Sequence, residues 1–387
     1  MNQLDFTGKG TEYFKIWIVN ILLTIITLGL YLPWAKVRTR RYFHANTHLD
    51  QNSFDYHATG KQLFISYIIS VVLLIIYVTL SRSNPILSAV FAGILVIASP
   101  WIIWRSIKFN LGMISYRNVR FGFNGKLAGS YINFLAYPIG LVLGFALVIA
   151  ILVGVLGSIL GSLLPILITL LVLSAYPAFF AFLNKVTNNY FIKGASFGQN
   201  NFSTNLEFKP FFFIILKGIG LGLLITVGAL AILGLLAYLI IGAEQISNLP
   251  GQLINMEQSA QPSGFILASI VLIYSLFLII GVYIVSYLKT YNRAYIFSKT
   301  RFDETATFHS NMHPNELFRI HITNILLMIA TIGLAYPWVK IRSYRYLTET
   351  IAVNAPNGFA GYVSQTSSEG AIGEELGEAF DIGGIGF

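Results

Sequence analysis

The chain has 387 residues and a formal net charge of +9; 55% of its residues are hydrophobic, 11% are charged and none is cysteine. A soluble domain carries roughly 25% charged residues, so a soluble protein of this composition would expose large apolar patches. The composition therefore excludes an ordinary soluble enzyme and a disulfide-stabilised secreted domain. It predicts an α-helical polytopic membrane protein.

Along the chain, six apolar stretches have the roughly 20 residues that a helix needs to cross a bilayer core about 30 Å thick. These predicted spans are 62–80, 86–104, 131–153, 158–183, 210–241 and 264–288. Two shorter apolar segments, 14–32 and 318–336, lie near the two ends of the chain. The apolar runs lack the alternation that is typical of membrane barrel strands, which favours helices.

Lysine and arginine concentrate in four of the connections between the apolar stretches: 36–61, 105–126, 184–209 and 289–316. The remaining connections carry few basic residues, and residues 154–162 carry no charge. The positive-inside rule then predicts that the basic connections face the cytoplasm.

The two ends of the chain are related to each other at a constant offset of 304 residues. Asn20 matches Asn324, and Pro33-Trp34 matches Pro337-Trp338, with basic residues following each Pro-Trp pair at the same spacing. An internal repeat of this kind fixes the architecture of a chain.

Pro100-Trp101 begins a third partial copy, and we interpret Tyr176-Pro177 with Lys185 as a decayed fourth. Tryptophan favours the headgroup level of a bilayer, and basic residues one helical turn apart share a face of the helix. The motif therefore predicts a set of candidate residues for lipid headgroups or the membrane interface. They are Trp34, Arg38, Arg41, Trp101, Arg105, Lys108, Trp338, Arg342 and Arg345.

Each basic segment is followed by a polar stretch with a phenylalanine near its middle. Short alternating runs on both sides of a polar turn are typical of β-hairpins. The predicted cytoplasmic hairpins are 47–58, 115–125, 195–208 and 300–310. Because isolated hairpins are marginally stable, we expect them to pack into a small sheet, with unstructured loops as the alternative. The sequence thus predicts five units of strand, helical hairpin, basic aromatic segment and strand.

The two end units are shorter than the three units in the middle. Only 19 residues separate Phe14 from Pro33, whereas 36 separate Phe64 from Pro100. Nineteen residues suffice for one crossing or for a shallow re-entrant hairpin. We therefore predict a membrane domain over residues 1–354 with six transmembrane helices and two re-entrant segments. Eight transmembrane helices are the alternative.

Several of these motifs carry a family resemblance. Phe6-Thr-Gly, Asn20-Ile-Leu-Leu-Thr, Thr27-Leu-Gly-Leu-Tyr, Pro33-Trp-Ala-Lys-Val-Arg and Arg41-Tyr-Phe resemble the YjgN-like family of bacterial inner-membrane proteins. The resemblance extends to about Asn354 and implies a multi-pass protein in the inner membrane of a Gram-negative bacterium. The family is a domain of unknown function, so it assigns no catalytic residue.

Polar residues inside the apolar segments are the candidate pathway residues. Lys217 lies within a predicted span, and Asn20 and Asn324 occupy equivalent places in the end segments. An ionisable residue inside a membrane is a functional hypothesis by default, although Lys217 is close enough to an interface to extend its ammonium group there. Asn20 and Asn324 either cap or hydrogen-bond the paired end elements, or they pair with each other across a central cavity.

Signals for metal binding or catalysis are weak. His44 and His48 are four residues apart, as are His309 and His313, but no nearby carboxylate or cysteine completes a set of metal ligands. The sequence shows no nucleophile elbow, phosphate loop or paired carboxylates. We therefore predict no metal, no cofactor and no enzymatic activity.

The tail at 355–387 is acidic, rich in glycine and free of basic residues. This composition predicts a disordered tail that docks on the basic cytoplasmic face of the same chain.

Repeats at both ends and segments interrupted by glycine and proline predict a transporter or channel-like protein for a small or lipid-like solute. The alternative is a scaffold that binds anionic lipids or organises the membrane, with a cytoplasmic cap that binds a partner. Membrane lipids, anionic ones above all, are the predicted partners, and nucleic acid is not. A homo-oligomer is compatible with the sequence.

Overall fold

The computed structural model describes residues 2–241, 264–303 and 305–356. The predicted acidic tail therefore lies outside the described residues from position 357 onwards. The connection at 242–263 also lies outside them.

Helices make up most of the described chain. They are α1 (Gly10–Ile26), α2 (Leu32–Ala45), α3 (Gly60–Ser83), α4 (Pro85–Gly112), α5 (Leu127–Tyr131), α6 (Tyr137–Leu160), α7 (Leu164–Gly194), α8 (Phe208–Ile241), α9 (Gly264–Lys299), α10 (Pro314–Ala330) and α11 (Tyr336–Glu349). A π-helical turn at Ile132–Ala136 joins α5 to α6, and a 3-10 turn at Gly161–Leu163 joins α6 to α7. The second turn lies inside the predicted span 158–183, so that span begins in the last turn of α6.

Short strands separate the pairs of helices. They are β1 (Asn2–Gln3), β2 (Asp5–Phe6), β3 (Thr47–Leu49), β4 (Asn52–Tyr56), β5 (Ile114–Tyr116), β6 (Val119–Phe123), β7 (Ala195–Phe197), β8 (Asn200–Thr204), β9 (Thr300–Phe302), β10 (Ala306–Ser310) and β11 (Ile351–Asn354). The described chain is thus built from five units, each with a first strand, a pair of main helices and a last strand. Units 1 to 5 cover residues 2–49, 52–116, 119–197, 200–302 and 306–354.

Within the described residues, the strands form one antiparallel sheet in the order β1-β11-β10-β9-β8-β7-β6-β5-β4-β3-β2. The strands at the two ends of this order, β1 and β2, belong to one extended segment, residues 2–6. Gln3 pairs with Ala352 of β11, and Asp5 pairs with His48 of β3. The sheet is therefore closed into a ring, and closure leaves no free edge among the described strands.

The same backbone hydrogen bond recurs within four of the units, where the first strand of a unit lies beside its last strand. In each case the residue that follows the first strand donates its N–H to the carbonyl oxygen of the residue that precedes the last strand. The bonds are Thr7 to Asn46 at 3.0 Å, His57 to Met113 at 2.8 Å, Asn124 to Gly194 at 2.7 Å and Asn311 to Thr350 at 2.8 Å. The N-terminal segment thus takes the same place as the first strands of the other units.

Tight turns connect two of the strand pairs. Asp50 and Gln51 between β3 and β4 have φ of 48° and 62°, and Arg117 and Asn118 between β5 and β6 have φ of 49° and 62°. Positive φ at both central residues defines a type I′ turn, whose twist matches that of the paired strands.

The inside of the closed sheet is filled by large apolar side chains. One cluster contains buried residues from all five units, among them Leu49, Tyr116, Phe197, Phe302 and Val353. The middle residues of the first strands pack against it: Leu4, Phe54, Phe121, Phe202 and Phe308. Because every unit contributes to one cluster, the cluster occupies the interior of the ring. That interior is a packed core and not an open pore.

The helices form a second ring above the sheet. The last helix of each unit packs against the first helix of the next unit: α2 on α3, α4 on α5, α7 on α8, α9 on α10 and α11 on α1. The contact of α11 with α1 joins the two ends of the chain and closes this ring.

The last helices of neighbouring units also touch one another near the sheet. The contacts are Arg40 Nη1 to Asn110 Oδ1 at 2.7 Å, Arg293 Nη2 to the carbonyl oxygen of Leu347 at 2.6 Å, and the ring centroids of Phe43 and Tyr344 at 4.6 Å. We infer that α2, α4, α9 and α11 form the inner layer of the helix ring.

In the two end units the pair of helices is joined by the same turn. Leu28 and Gly29 have φ of 51° and 94°, and the equivalent Ile332 and Gly333 have φ of 50° and 85°. The two apolar residues at the tips, Leu28 and Ile332, are each 94% exposed. Both end segments therefore turn back towards the sheet from which they came.

Proline positions show where the repeat is preserved. The motif proline stands 14 residues before a last strand in three units, at Pro33, Pro100 and Pro337. The same position in units 3 and 4 holds Ala181 and Ser286, both 0% exposed. Pro177 stands 18 residues before β7, so the interpretation of Tyr176-Pro177 as a fourth copy was wrong.

Five helical stretches of the described residues are long and apolar enough to cross a membrane: Gly60–Ser83, Pro85–Gly112, Leu127–Gly194, Phe208–Leu236 and Ile270–Lys299. At most 17% of the most apolar window of each stretch is buried inside the structure, so most of these side chains face outwards. Outward-facing apolar helices identify a polytopic membrane protein.

Ring closure predicts that Gln3→Cys and Ala352→Cys form a disulfide in the double variant. Leu4 N donates to the carbonyl oxygen of Ile351 at 3.0 Å, so the adjacent Gln3–Ala352 pair is non-hydrogen-bonded, with Cα atoms about 4.5 Å apart. That separation suits a disulfide. The measurement is the number of free thiols after mild oxidation, counted by maleimide labelling and intact mass. Because the chain has no native cysteine, a loss of both thiols reports the disulfide directly.

The matched control combines Gln3→Cys with Val353→Cys, because adjacent residues of a strand face opposite sides of the sheet. We expect this control to keep both thiols. Equal thiol counts in the two double variants would contradict a closed sheet.

Candidate functional site: two clefts of the end units

Two clefts lie at equivalent places in the two end units. The first, about 480 Å³, lies between α1, α2 and α11, and the second, about 630 Å³, lies between α9, α10 and α11. Each is lined by both helices of an end unit and by the last helix of the preceding unit. Volumes of this size are typical of small-molecule sites.

The first cleft has a strongly basic lining. Its lining residues include Lys36, Arg40 and Lys340, and no carboxylate is among them. Asn20 and Thr39 add uncharged polar groups. The remaining lining residues are Tyr13, Trp17, Ile21, Thr24, Ile25, Leu32, Ala35 and Tyr336. Three cations among aromatic and aliphatic side chains favour an anionic group attached to an apolar body.

Aromatic rings hold Lys340 in the first cleft. Its Nζ lies 5.7, 5.4 and 5.6 Å from the ring centroids of Tyr13, Phe43 and Tyr336. Cation–π attraction of this kind positions an ammonium group without neutralising its charge. Within the described residues Lys340 forms no ion pair, so its charge remains available to a ligand.

Hydrogen bonds fix the guanidinium group of Arg40. Its Nη1 donates to the hydroxyl of Tyr56 at 2.8 Å and to Oδ1 of Asn110 at 2.7 Å. Lys36 stands one helical turn before Arg40 on the same face of α2. The cleft therefore has preset positive charge, which is effective in surroundings of low dielectric constant.

The second cleft is mainly apolar, with a polar group of three residues at the end nearer the sheet: His321, Asn324 and Ser343. Asn324 is 5% exposed, and its Nδ2 donates to Ser343 Oγ at 2.9 Å. Its Oδ1 has no hydrogen-bond partner within the described residues. The other lining residues are Leu278, Gly281, Val282, Val285, Ile325, Met328, Ile329 and Val339.

The predicted pathway residues do not meet in one cavity. Asn20 lies in the first cleft and donates to the carbonyl oxygen of Ala35 at 3.3 Å, whereas Asn324 lies in the second. Each asparagine bonds to the last helix of its own unit, so the pairing across a central cavity was wrong. Lys217 is exposed on α8 and lines neither cleft.

Two of the predicted headgroup arginines instead join neighbouring units. Arg41 Nη2 donates to the carbonyl oxygen of Ala58 at 3.4 Å, and Arg345 Nη2 donates to that of Gly8 at 2.7 Å. Ala58 and Gly8 stand at the same place, two residues after a first strand. These arginines therefore stabilise the ring at two equivalent interfaces.

Two of the predicted tryptophans pack on the next unit. Trp34 lies 5.2 Å from the ring of Phe64, and Trp338 lies 5.2 Å from the ring of Phe14. A Cβ added to Gly10 would come within 2.4 Å of Trp338, so this close approach requires glycine. The Pro-Trp motif is thus a packing device between units.

The remaining candidates have separate surroundings. Arg38 Nη1 donates to Asn20 Oδ1 at 3.5 Å, and Arg342 Nη1 donates to Thr323 Oγ1 at 2.7 Å. Lys108 Nζ lies 5.3 Å from the ring centroid of Trp104. Trp101 is 38% exposed, and Arg105 is partly buried. None of these residues lines either cleft.

The charged residues of the first cleft were missed as a group by the sequence reasoning. Lys36 and Lys340 match each other in the repeat, and Arg40 follows Lys36 by four residues. That spacing places Lys36 and Arg40 on one helix face, away from the face of Arg38 and Arg41. The spacing of Lys36 and Arg40 was visible in the sequence. Which face of α2 lines a cleft, however, depends on the helices that pack around α2.

Comparison with known proteins places the chain in a family. Residues 1–379 match the family described as bacterial protein of unknown function, DUF898. The chain belongs to the DUF898 family. No solved structure matches it significantly.

Relatives of this DUF898 protein include the inner membrane protein YjgN of Salmonella typhimurium (strain LT2), which is 29% identical over 362 residues, 91% of this chain and 88% of the relative. Inner membrane protein YjgN of Escherichia coli O157:H7 is 34% identical over 152 residues, 37% of this chain and 38% of the relative. The resemblance to YjgN-like inner-membrane proteins is thereby confirmed.

The histidine beside the first cleft predicts a pH-dependent stability. The His44 ring stacks on Tyr56 with ring centroids 5.5 Å apart. Burial, and secondly the positive charge of Arg40, lower the pKa of His44 to about 4. Between pH 6.5 and 4 the unfolded chain then binds more protons than the folded one, so stability falls as the pH falls.

We expect this group to cost about 2 kcal/mol of folding free energy at pH 5 relative to pH 7.5. The melting temperatures of the purified protein at pH 7.5 and pH 5 measure this loss of stability. His44→Gln should make the difference between the two melting temperatures smaller. His309→Gln removes an exposed imidazole and is the matched control. The same pH response in His44→Gln and the parent chain would contradict the assignment.

Proposed function

We propose that this protein binds an anionic, lipid-like solute in the first cleft, within the inner membrane of a bacterium. One observation carries the proposal: Lys36, Arg40 and Lys340 line a cleft that has no carboxylate in its lining. Around them, Trp17 and Leu32 supply apolar surface for the body of an amphiphile.

The proposed topology has six transmembrane helices, α3, α4, α6, α7, α8 and α9, and two re-entrant pairs, α1 with α2 and α10 with α11. Helix α1 has 17 residues and α2 has 14, fewer than the roughly 20 that a crossing needs. The backbone of the turn also suits a membrane, because Thr27 Oγ1 accepts the N–H of Tyr31 at 3.0 Å. At the other end, Thr331 Oγ1 accepts the N–H of Ala335 at 3.1 Å.

The sidedness that we propose places the closed sheet in the cytoplasm, because the basic connections adjoin it. Lys36 and Arg40 then lie at the level of the cytoplasmic leaflet, which carries anionic lipids. Each basic residue near such a surface contributes about 1 kcal/mol of attraction.

Cysteine accessibility tests this topology. Arg342→Cys, in the last Pro-Trp segment, should react with a membrane-impermeant maleimide only from the cytoplasmic side. Ser83→Cys, at the last residue of α3 beside the turn to α4, should react only from the periplasmic side and serves as the matched control. Both positions are exposed. Periplasmic labelling of Arg342→Cys would support eight crossings and contradict the re-entrant end units.

Transport of the same solute is the second candidate function. It is favoured by the position of the clefts, since both lie in the short end units, which α11 and α1 bring side by side. The main helices of the end units are shorter than those of the other three units, so the ring of helices extends less far from the sheet there. The packed apolar interior of the sheet argues against a channel along the axis of the ring.

Lipid binding by the purified protein tests the first cleft. Dioleoylphosphatidylglycerol should bind more tightly than dioleoylphosphatidylcholine in mixed micelles, as measured by native mass spectrometry. Lys36→Gln and Lys340→Gln should each weaken phosphatidylglycerol binding about fivefold, since each removes about 1 kcal/mol of attraction.

Lys217→Gln is the matched control, because it removes an exposed lysine of α8 that lines neither cleft. Its phosphatidylglycerol binding should equal that of the parent chain. Equal affinity for the two lipids, or unchanged binding in both cleft variants, would refute the proposed function.

A further inference from the structure

We propose that the second cleft is a separate binding site for a neutral amphiphile whose polar head is a hydroxyl group. This site uses different residues and different chemistry from the first cleft, so it goes beyond the function proposed above. The walls of the cleft are apolar, and the groups at its polar end have hydrogen-bonding capacity that the protein does not use.

The walls suit a hydrocarbon chain. Leu278, Val285 and Ile329 line the cleft and are 52%, 57% and 70% exposed, so the apolar lining continues to the outer surface of the helices. A Cβ added to Gly281 would meet nothing within 4 Å, which leaves open width between α9 and α10. No lysine, arginine or carboxylate is among the lining residues.

Asn324 supplies one unused acceptor. Its side chain is 95% buried, its Nδ2 donates to Ser343 Oγ at 2.9 Å, and its Oδ1 has no partner within the described residues. Oδ1 is itself buried, so a ligand donor reaches it when the amide turns towards the cleft. A buried carbonyl oxygen without a hydrogen bond costs free energy, so that contact would be stabilising.

His321 supplies a second acceptor. Ser286 Oγ lies 2.8 Å from the carbonyl oxygen of Val282 and 3.0 Å from His321 Nδ1. We assign the hydroxyl hydrogen to the bond with Val282, so that the Ser286 oxygen accepts from Nδ1. A neutral His321 then carries its hydrogen on Nδ1 and its lone pair on Nε2. The imidazole therefore brings an acceptor to the lining of the cleft.

Ser343 supplies a donor. Its oxygen accepts from Asn324, and a hydroxyl group keeps its own hydrogen for a further acceptor. Two acceptors and one donor match a ligand hydroxyl, which both donates and accepts. A carboxylate or phosphate would place its oxygens against two acceptors, and a methyl ether could donate to neither.

The polar and apolar parts of the cleft also have an order. Along α10, His321 and Asn324 lie closer to strand β10 than Met328 and Ile329, which lie towards the turn at 331–335. A bound amphiphile would place its hydroxyl towards the sheet and its chain towards the turn.

Photo-crosslinking of the purified full chain in detergent tests the site. The probe is an 18-carbon alcohol with a diazirine in its chain, and the comparison probe is its methyl ether. Peptide mapping should find the alcohol on 278–285, 325–329 and 339, with about fivefold less label from the ether. Asn324→Leu and Ser343→Ala should each reduce alcohol labelling about fivefold.

Asn20→Leu is the matched control, since it changes the equivalent residue of the first cleft and should leave labelling of the second unchanged. Melting temperatures confirm that each variant is folded, and Ser343→Ala decides the result if Asn324→Leu does not fold. Equal labelling by alcohol and ether, unchanged labelling in Ser343→Ala, or label spread evenly over the outward faces of the helices would overturn the inference. Phosphatidylglycerol binding in Ser343→Ala should remain normal, which separates this site from the first cleft.

Discussion

Backbone pairing of residues 2–6 with both β11 and β3 is the constraint on which the rest of the structure depends. Without it the sheet would end in two free edges, and nothing in the sheet would bring unit 5 next to unit 1. With it, the five units surround one aromatic core and α11 packs on α1. The first cleft follows directly, because it needs α11 from one end of the chain and α1 and α2 from the other.

The ring also explains how copies of one repeated unit can have different roles. Three units extend into long apolar helices, and the two short units are neighbours only because the chain closes on itself. Their clefts have the same construction, with Asn20 and Asn324 at equivalent places. The rest of the lining differs: lysine and arginine mark the first cleft, and histidine and serine mark the polar end of the second. Divergence of equivalent positions is how a repeat protein can acquire two distinct sites without a change of fold.

Much of this architecture could be predicted from the sequence, because hydropathy and repeat spacing are local properties. The apolar stretches, the offset of 304 between Asn20 and Asn324, and the short spacing from Phe14 to Pro33 all report on individual units. The surroundings of the basic residues could not be predicted in the same way. Arg41 and Arg345 bond to carbonyls of the following unit, and Lys340 enters a cage that includes Tyr13 from the other end of the chain. The contacts of Arg345 and Lys340 depend on closure of the ring, which leaves no mark in the spacing of any one motif.

Amide hydrogen exchange of the N-terminal strand tests ring closure most directly. Leu4 N–H is bonded to Ile351 and Thr7 N–H to Asn46, each at 3.0 Å, in the manner of His57 N–H with Met113 in the second unit. A closed ring predicts that the Leu4 and Thr7 amides exchange as slowly as that of His57, since they open with the same sheet. Exchange of Leu4 and Thr7 at the rate of an unprotected chain end, with His57 still protected, would contradict the account.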